Sequence, residues 1–131
     1  MTSLNLELEM LLWSAFLYIA QIAIAASAAD VRNGLAWGLG NRDNTPSCTG
    51  WVGRSERAYR NMAESLLPFA CLVVIIQGSG TAGEWSALGA SVFFFSRLAY
   101  AALYLAGITV LRSLAYFGGL AGIGLMIYQI F

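Results

Sequence analysis

Apolar residues in this chain gather in long runs rather than at the three-to-four spacing of a half-buried surface helix. A helix needs about 20 mostly apolar residues to cross a bilayer. Four segments reach that length, from about Met10 to Ala29, Glu56 to Gln77, Trp85 to Ala106 and Leu111 to Phe131. Ten-residue stretches of alternating hydrophobicity, the mark of a membrane barrel, are absent. The pattern predicts an all-α membrane protein, one domain over residues 1–131, folded as a four-helix bundle that runs up-down-up-down. Short connections between the second, third and fourth segments make them antiparallel neighbours.

Composition agrees with this reading. The chain is 59% hydrophobic and 11% charged, where a soluble domain carries roughly 25% charged residues. Ala26-Ser27-Ala28 resembles a signal-peptidase site, but Glu7 and Glu9 stand where a signal has basic residues, so the first segment reads as a retained helix. Both glutamates precede the apolar run and are placed outside it.

All seven cationic residues are arginine, and there is no histidine. Five of the seven, Arg32, Arg42, Arg54, Arg57 and Arg60, lie in the first connection or at the start of the second segment. Arg112 opens the fourth segment at the same end. The positive-inside rule puts the first and third connections in the cytoplasm and both termini outside. A bacterial inner membrane is the expected location. Cys48 falls in the first connection and Cys71 inside the second segment, so a disulfide is not expected. With no histidine and two scattered cysteines, no metal site is expected, and no nucleic acid either.

The stretch from Asp30 to Arg54 is the long connection, broken by glycines. Asp43-Asn44-Thr45-Pro46 reads as a turn. Trp37 and Trp51 suit the headgroup layer. Ser55 is the expected N-cap of the second helix. Gly78-Ser79-Gly80-Thr81-Ala82-Gly83 lacks the lysine and the preceding strand of a phosphate loop and reads as a flexible connection. In the fourth segment Gly118 and Gly122 form a small-xxx-small pair, for contact within the chain or between subunits.

The chemistry lies in a polar stripe on the second segment. Arg57, Asn61, Glu64 and Pro68 stand at i, i+4, i+7 and i+11, on one helical face. Polar groups in hydrocarbon are costly and face a partner or a wet cavity. The third segment carries Arg97, Tyr100 and Tyr104, again on one face. A rise of about 1.5 Å per residue puts Glu64 and Arg97 at similar depth, where they are expected to pair. Arg57, Asn61, Glu64, Tyr100, Tyr104 and Arg112 would then form one cluster at the arginine end. Arginine forks take carboxylates, a carboxylate takes an ammonium, and an arginine favours a thiolate. That inventory suits a zwitterionic guest with several carboxylates. The bland alternatives remain open here. Glu64 with Arg97 is readable as a structural pair, Tyr104 as an interfacial belt residue, and Arg54, Arg57 and Arg60 as topology signals touching lipid phosphates. Cys71 is read as packing.

The sequence resembles the MAPEG family, the membrane-associated proteins in eicosanoid and glutathione metabolism. R-A-Y-R-N-M-A-E-S-L-L-P-F (Arg57 to Phe69) is similar to the family pattern R-A-x-x-N-x-x-E followed by Pro-Phe. S-R-L-A-Y-A-A-L-Y-L-A-G-I-T-V-L-R-S (Ser96 to Ser113) is similar to its Arg, Tyr or His, Tyr, then Arg-Ser. The likeness covers nearly the whole chain and looks closest to the small bacterial branch. It departs after the first segment, where relatives carry a more basic stretch and this chain has Arg32 followed by Gly34-Leu35-Ala36-Trp37-Gly38.

The resemblance implies a homotrimer with glutathione held between subunits near the cytoplasmic face. Arg57, Asn61, Glu64, Tyr100 and Tyr104 would contact the tripeptide. Arg112 would stabilise its thiolate, and Ser113 matches a serine implicated in some members. The implied function is a glutathione-dependent transferase or peroxidase acting on a lipophilic electrophile that arrives from the lipid bilayer. The alternatives are a non-catalytic trimeric scaffold or accessory subunit, and a four-helix proton-coupled exporter. The exporter needs an acidic residue deep in the first helix and ranks last.

Overall fold

In the computed structural model, residues 4–43 and 49–131 are described, and they form five helices: α1 (Leu6–Asn33), α2 (Leu35–Leu39), α3 (Gly50–Ser79), α4 (Glu84–Ala106) and α5 (Val110–Ile130). Four of them, α1, α3, α4 and α5, are long and apolar enough to cross a membrane. These are the four predicted segments. The Asp43–Pro46 turn and Cys48 involve residues 44–48, outside the described residues.

α1 and α3 outrun the apolar runs that predicted them. α1 reaches from Leu6 to Asn33, past both limits of the Met10–Ala29 run. α3 begins at Gly50, six residues before Glu56. Helix formation needs backbone hydrogen bonds, not hydrophobicity, so polar turns extend these two rods. Ser55 is therefore not an N-cap. It lies inside α3, fully buried, and its hydroxyl donates to the Val52 carbonyl at 2.7 Å. Thr49 occupies the cap position without a side-chain capping bond. Its carbonyl and hydroxyl instead accept from Arg32 at 2.6 and 2.9 Å, which ties the end of α1 to the start of α3.

The two tight turns share one stop. α3 ends at Gly80 (φ 69°) and α4 at Gly107 (φ 78°), both left-handed. Thr81 N–H bonds the Ile76 carbonyl and Ile108 N–H bonds the Leu103 carbonyl, the wrap that closes a glycine-stopped helix. Gly78 and Ser79 belong to α3, so the connection is shorter than the sequence predicts. At the α4 end Arg54 Nε donates to the Leu105 carbonyl at 3.3 Å.

α4 and α5 pack backbone to backbone. A Cβ on Gly122 would lie 2.6 Å from the Gly89 carbonyl oxygen, and one on Gly118 would lie 2.6 Å from Ser96 Oγ. The small-xxx-small pair therefore serves contact within the chain. Beneath it the core comprises Met10, Phe69, Val73, Ile76, Ala90, Phe93 and Met126. Phe69 and Phe93 stack with centroids 4.0 Å apart. Cys71, read as packing from the sequence, is an exposed free thiol on the outside of α3.

The end away from the arginines is tied by uncharged donors and one carboxylate. Glu7 lies in the first turn of α1, before the apolar run, and is 3% exposed, a burial the sequence does not signal. Ser86 Oγ donates to its carboxylate at 2.5 Å. Asn5 donates to the Gln77 side chain at 2.8 Å, and Trp85 N–H donates to Gln129 Oε1 at 3.2 Å. The apolar run begins late because its first turn carries polar groups that α3 and α4 receive.

Candidate functional site

The arginine end gathers what the sequence put there. Arg32 stands in the last turn of α1, Arg54, Arg57 and Arg60 in the early turns of α3, and Arg112 in the first turn of α5. Of these, Arg60 pairs with Glu56 at 2.5 Å, and Arg42, in the connection after α2, pairs with Asp30 at 3.7 Å.

Three helices converge on Tyr104. Arg57 Nε, from α3, donates to the Tyr104 hydroxyl at 3.2 Å. The Arg112 guanidinium, from α5, lies 4.5 Å from the centre of the Tyr104 ring. Tyr100, one turn earlier on α4, packs its ring 5.5 Å from that of Tyr104. Two cations thus meet one phenol, one at its hydroxyl and one over its ring. A cation over an aromatic face is held by the ring quadrupole while its N–H groups stay available to a guest. Ser113, beside Arg112, is exposed and its hydroxyl donates to the Thr109 carbonyl at 3.2 Å.

Deeper in, a cleft of about 120 Å³ opens between α3, α4 and α5, lined by Asn61, Glu64, Ser65, Arg97 and Tyr116 above Pro68, Phe93 and Leu120. Arg97 is 2% exposed. Its Nη2 donates to Asn61 Oδ1 at 2.6 Å, to the Asn61 carbonyl at 3.1 Å and to Ser65 Oγ at 2.5 Å. Its guanidinium also lies 4.8 Å from the Tyr100 ring centre and 5.7 Å from that of Tyr116.

The expected Glu64–Arg97 ion pair does not form. Among the described residues the ion pairs are Arg42–Asp30 and Arg60–Glu56, and neither involves Glu64 or Arg97. Depth along a helix was a sound guide, but rotation decides the partner. Arg97 is turned toward the Asn61 and Ser65 side of α3. Glu64 stays exposed at the mouth of the same cleft, its carboxylate open to a guest.

Pro68 adds an acceptor here. It lies inside α3 and has no N–H, so the carbonyl of Glu64, four residues earlier, loses its helical donor.

Of the predicted site residues, Arg57, Tyr100, Tyr104 and Arg112 form one contact chain, joined through Tyr100 and Arg97 to Asn61. Glu64 shares the cleft, and Ser113 is not among its lining residues. The sequence reading missed Ser65 and Tyr116. Both were legible in principle, each four residues after a predicted site residue, Asn61 and Arg112, and so on the same helical face.

The sequence model of the MAPEG family matches residues 10–131, nearly the whole chain. Neither a curated protein nor a solved structure matches it.

Proposed function

The chain belongs to the MAPEG family, and on that premise we propose that it binds glutathione at the arginine end of the bundle and activates its thiol against a lipophilic electrophile. Membership supports a membrane protein of glutathione and eicosanoid metabolism type. The observation that carries the finer reading is the meeting of Arg57 and Arg112 on Tyr104, with the free Glu64 carboxylate in the adjoining cleft. Glutathione has two carboxylates, one ammonium and one thiol. Arg57 offers its remaining fork donors to a carboxylate, and Glu64 accepts from the ammonium. Asn61, Tyr100 and Tyr104 complete the polar lining. Arg112 lowers the thiol pKa and holds the thiolate. In a transferase step the sulfur–carbon bond forms as the electrophile's leaving group departs or its strained ring opens. In a peroxidase step the thiolate attacks a peroxide oxygen, a sulfur–oxygen bond forms as the O–O bond breaks, the alkoxide leaves and takes a proton from water, and a second glutathione converts the sulfenic acid to the disulfide and water.

The exposure of Arg57 and Glu64 supports a homotrimer. Both lie on a membrane-spanning helix, where a charge facing lipid costs several kcal/mol. A neighbouring copy covering that face removes the cost and closes the site. The gathering of arginines at one end supports that end in the cytoplasm, with both termini outside a bacterial inner membrane.

One observation favours a second reading. Arg97 uses Asn61 and Ser65 as its own acceptors, so part of the stripe holds the bundle together. A non-catalytic scaffold or accessory subunit would keep that much. Titration calorimetry of the detergent-solubilised protein with glutathione, followed by near-ultraviolet absorbance at saturation, separates the two. Binding with a thiolate band at neutral pH is expected. Saturation with no thiolate band and no turnover of a model electrophile would leave the scaffold reading standing.

A further inference from the structure

We propose that the flank of α1 beside Trp51 seats an acyl chain of a phospholipid whose anionic headgroup lies against Arg32. Two clefts of about 410 and 270 Å³ adjoin there, sharing Ala28, Val31 and Trp51, and so form one groove. Its inner part has a floor of small residues, Ala23, Ser27 and Ala28, walled by the Trp51 ring. Its outer part ends on Arg32, Thr49 and Gly50. From the bilayer core outward the lining therefore passes from apolar to cationic. A phospholipid presents the same order, chain and then headgroup.

The cation at the end of the groove is fixed and unneutralised. Arg32 donates to the Thr49 carbonyl and hydroxyl, so its guanidinium is held in position. Among the described residues it makes no ion pair, since the two pairs there involve Arg42 and Arg60. The N-terminus of α3 starts at Gly50 and adds partial positive charge at the same point. Trp51, 53% exposed, stands where an aromatic belt residue flanks headgroups.

The flank asks for lipid rather than protein. At roughly 100° per residue, Trp51 lies well over a right angle round α3 from Arg57 and Glu64, the charges that need cover. Between Ala23 and Val31 the groove is lined by a single polar side chain, Ser27. Val31 is 87% exposed, and lipid is an adequate solvent for it. The proposal does not depend on glutathione binding.

To test it, the full chain is reconstituted in vesicles of equal phosphatidylglycerol and phosphatidylcholine and extracted in mild detergent. The lipid that stays bound is then measured by native mass spectrometry. Phosphatidylglycerol should be retained in excess. Ser27→Phe, which fills the groove from an exposed position, should abolish retention and leave the thermal midpoint unchanged. Arg32→Gln should cut the headgroup preference about fivefold, the factor one basic residue contributes near an anionic surface. Equal retention of the two lipids by the wild type, or undiminished retention by Ser27→Phe, overturns the proposal. So does an interchain disulfide formed by Ser27→Cys in a background lacking Cys48 and Cys71, because that would seat a second copy in the groove.

Discussion

Replacing Arg97 discriminates between two descriptions of the bundle interior. Arg97 Nη2 faces three acceptors, Asn61 Oδ1, the Asn61 carbonyl and Ser65 Oγ. One guanidinium nitrogen has two N–H groups. The two short contacts take them, and the 3.1 Å carbonyl shares. Interhelical hydrogen bonds in membrane bundles average about 0.6 kcal/mol and reach about 1.7. Two of them give a range of about 1–3.5 kcal/mol for Arg97→Gln. The partner is identified by double-mutant cycles. Unfolding of the detergent-solubilised chain without glutathione should give a coupling of about 1 kcal/mol between Arg97→Gln and Asn61→Ala, and a similar one with Ser65→Ala. Coupling of Arg97→Gln to Glu64→Gln should be smaller, because the exposed Glu64 carboxylate is screened at the cleft mouth and makes no direct bond. A Glu64 coupling larger than both others would refute the assignment and restore the ion pair read from the sequence.

Four further outcomes are expected. Gly89→Ala places a methyl group 2.5 Å from the Gly122 carbonyl oxygen, and overpacking of this kind should cost about 1–3 kcal/mol. Gly124→Ala, with open space at that point, should be neutral or slightly stabilising on the same thermal melt. Arg112→Ala should abolish a glutathione thiolate band with the fold intact, while Arg112→Lys, which keeps the charge, should retain part of it. In a cysteine-free background, an impermeant thiol reagent applied to intact cells should label Ser79→Cys and spare Thr109→Cys; the reverse pattern would invert the topology.

The four spans and the one-sided arginines were open to reading from the sequence because both are set by solvent. Bilayer thickness dictates how long an apolar run must be, and translocation penalises arginine at one surface. Neither depends on which helices touch. The partner of Arg97 was not open in the same way. Asn61 and Glu64 share a stripe, and the rise per residue gives their depth but not the rotation of the helix that meets them. That rotation follows from the contact of Gly89 with Gly122, a property of two segments together. The burial of Glu7 was hidden for a related reason. Glu7 stands before the apolar run, between Leu6 and Leu8, and only Ser86 on a distant helix explains why it is buried.

That contact also bears on how the chain is made. Glu7 and Ser86 are 79 residues apart, and Asn5 and Gln77 are 72 apart. At a synthesis rate of about 5–20 residues per second, α1 waits roughly 4–16 s for the hydroxyl that receives its carboxylate. Glu7 stands in the first turn of α1, so its carboxylate stays in contact with water until α4 emerges. Docking of Ser86 then buries it, so the outer end of the first helix to be synthesised waits for the third span before it can settle.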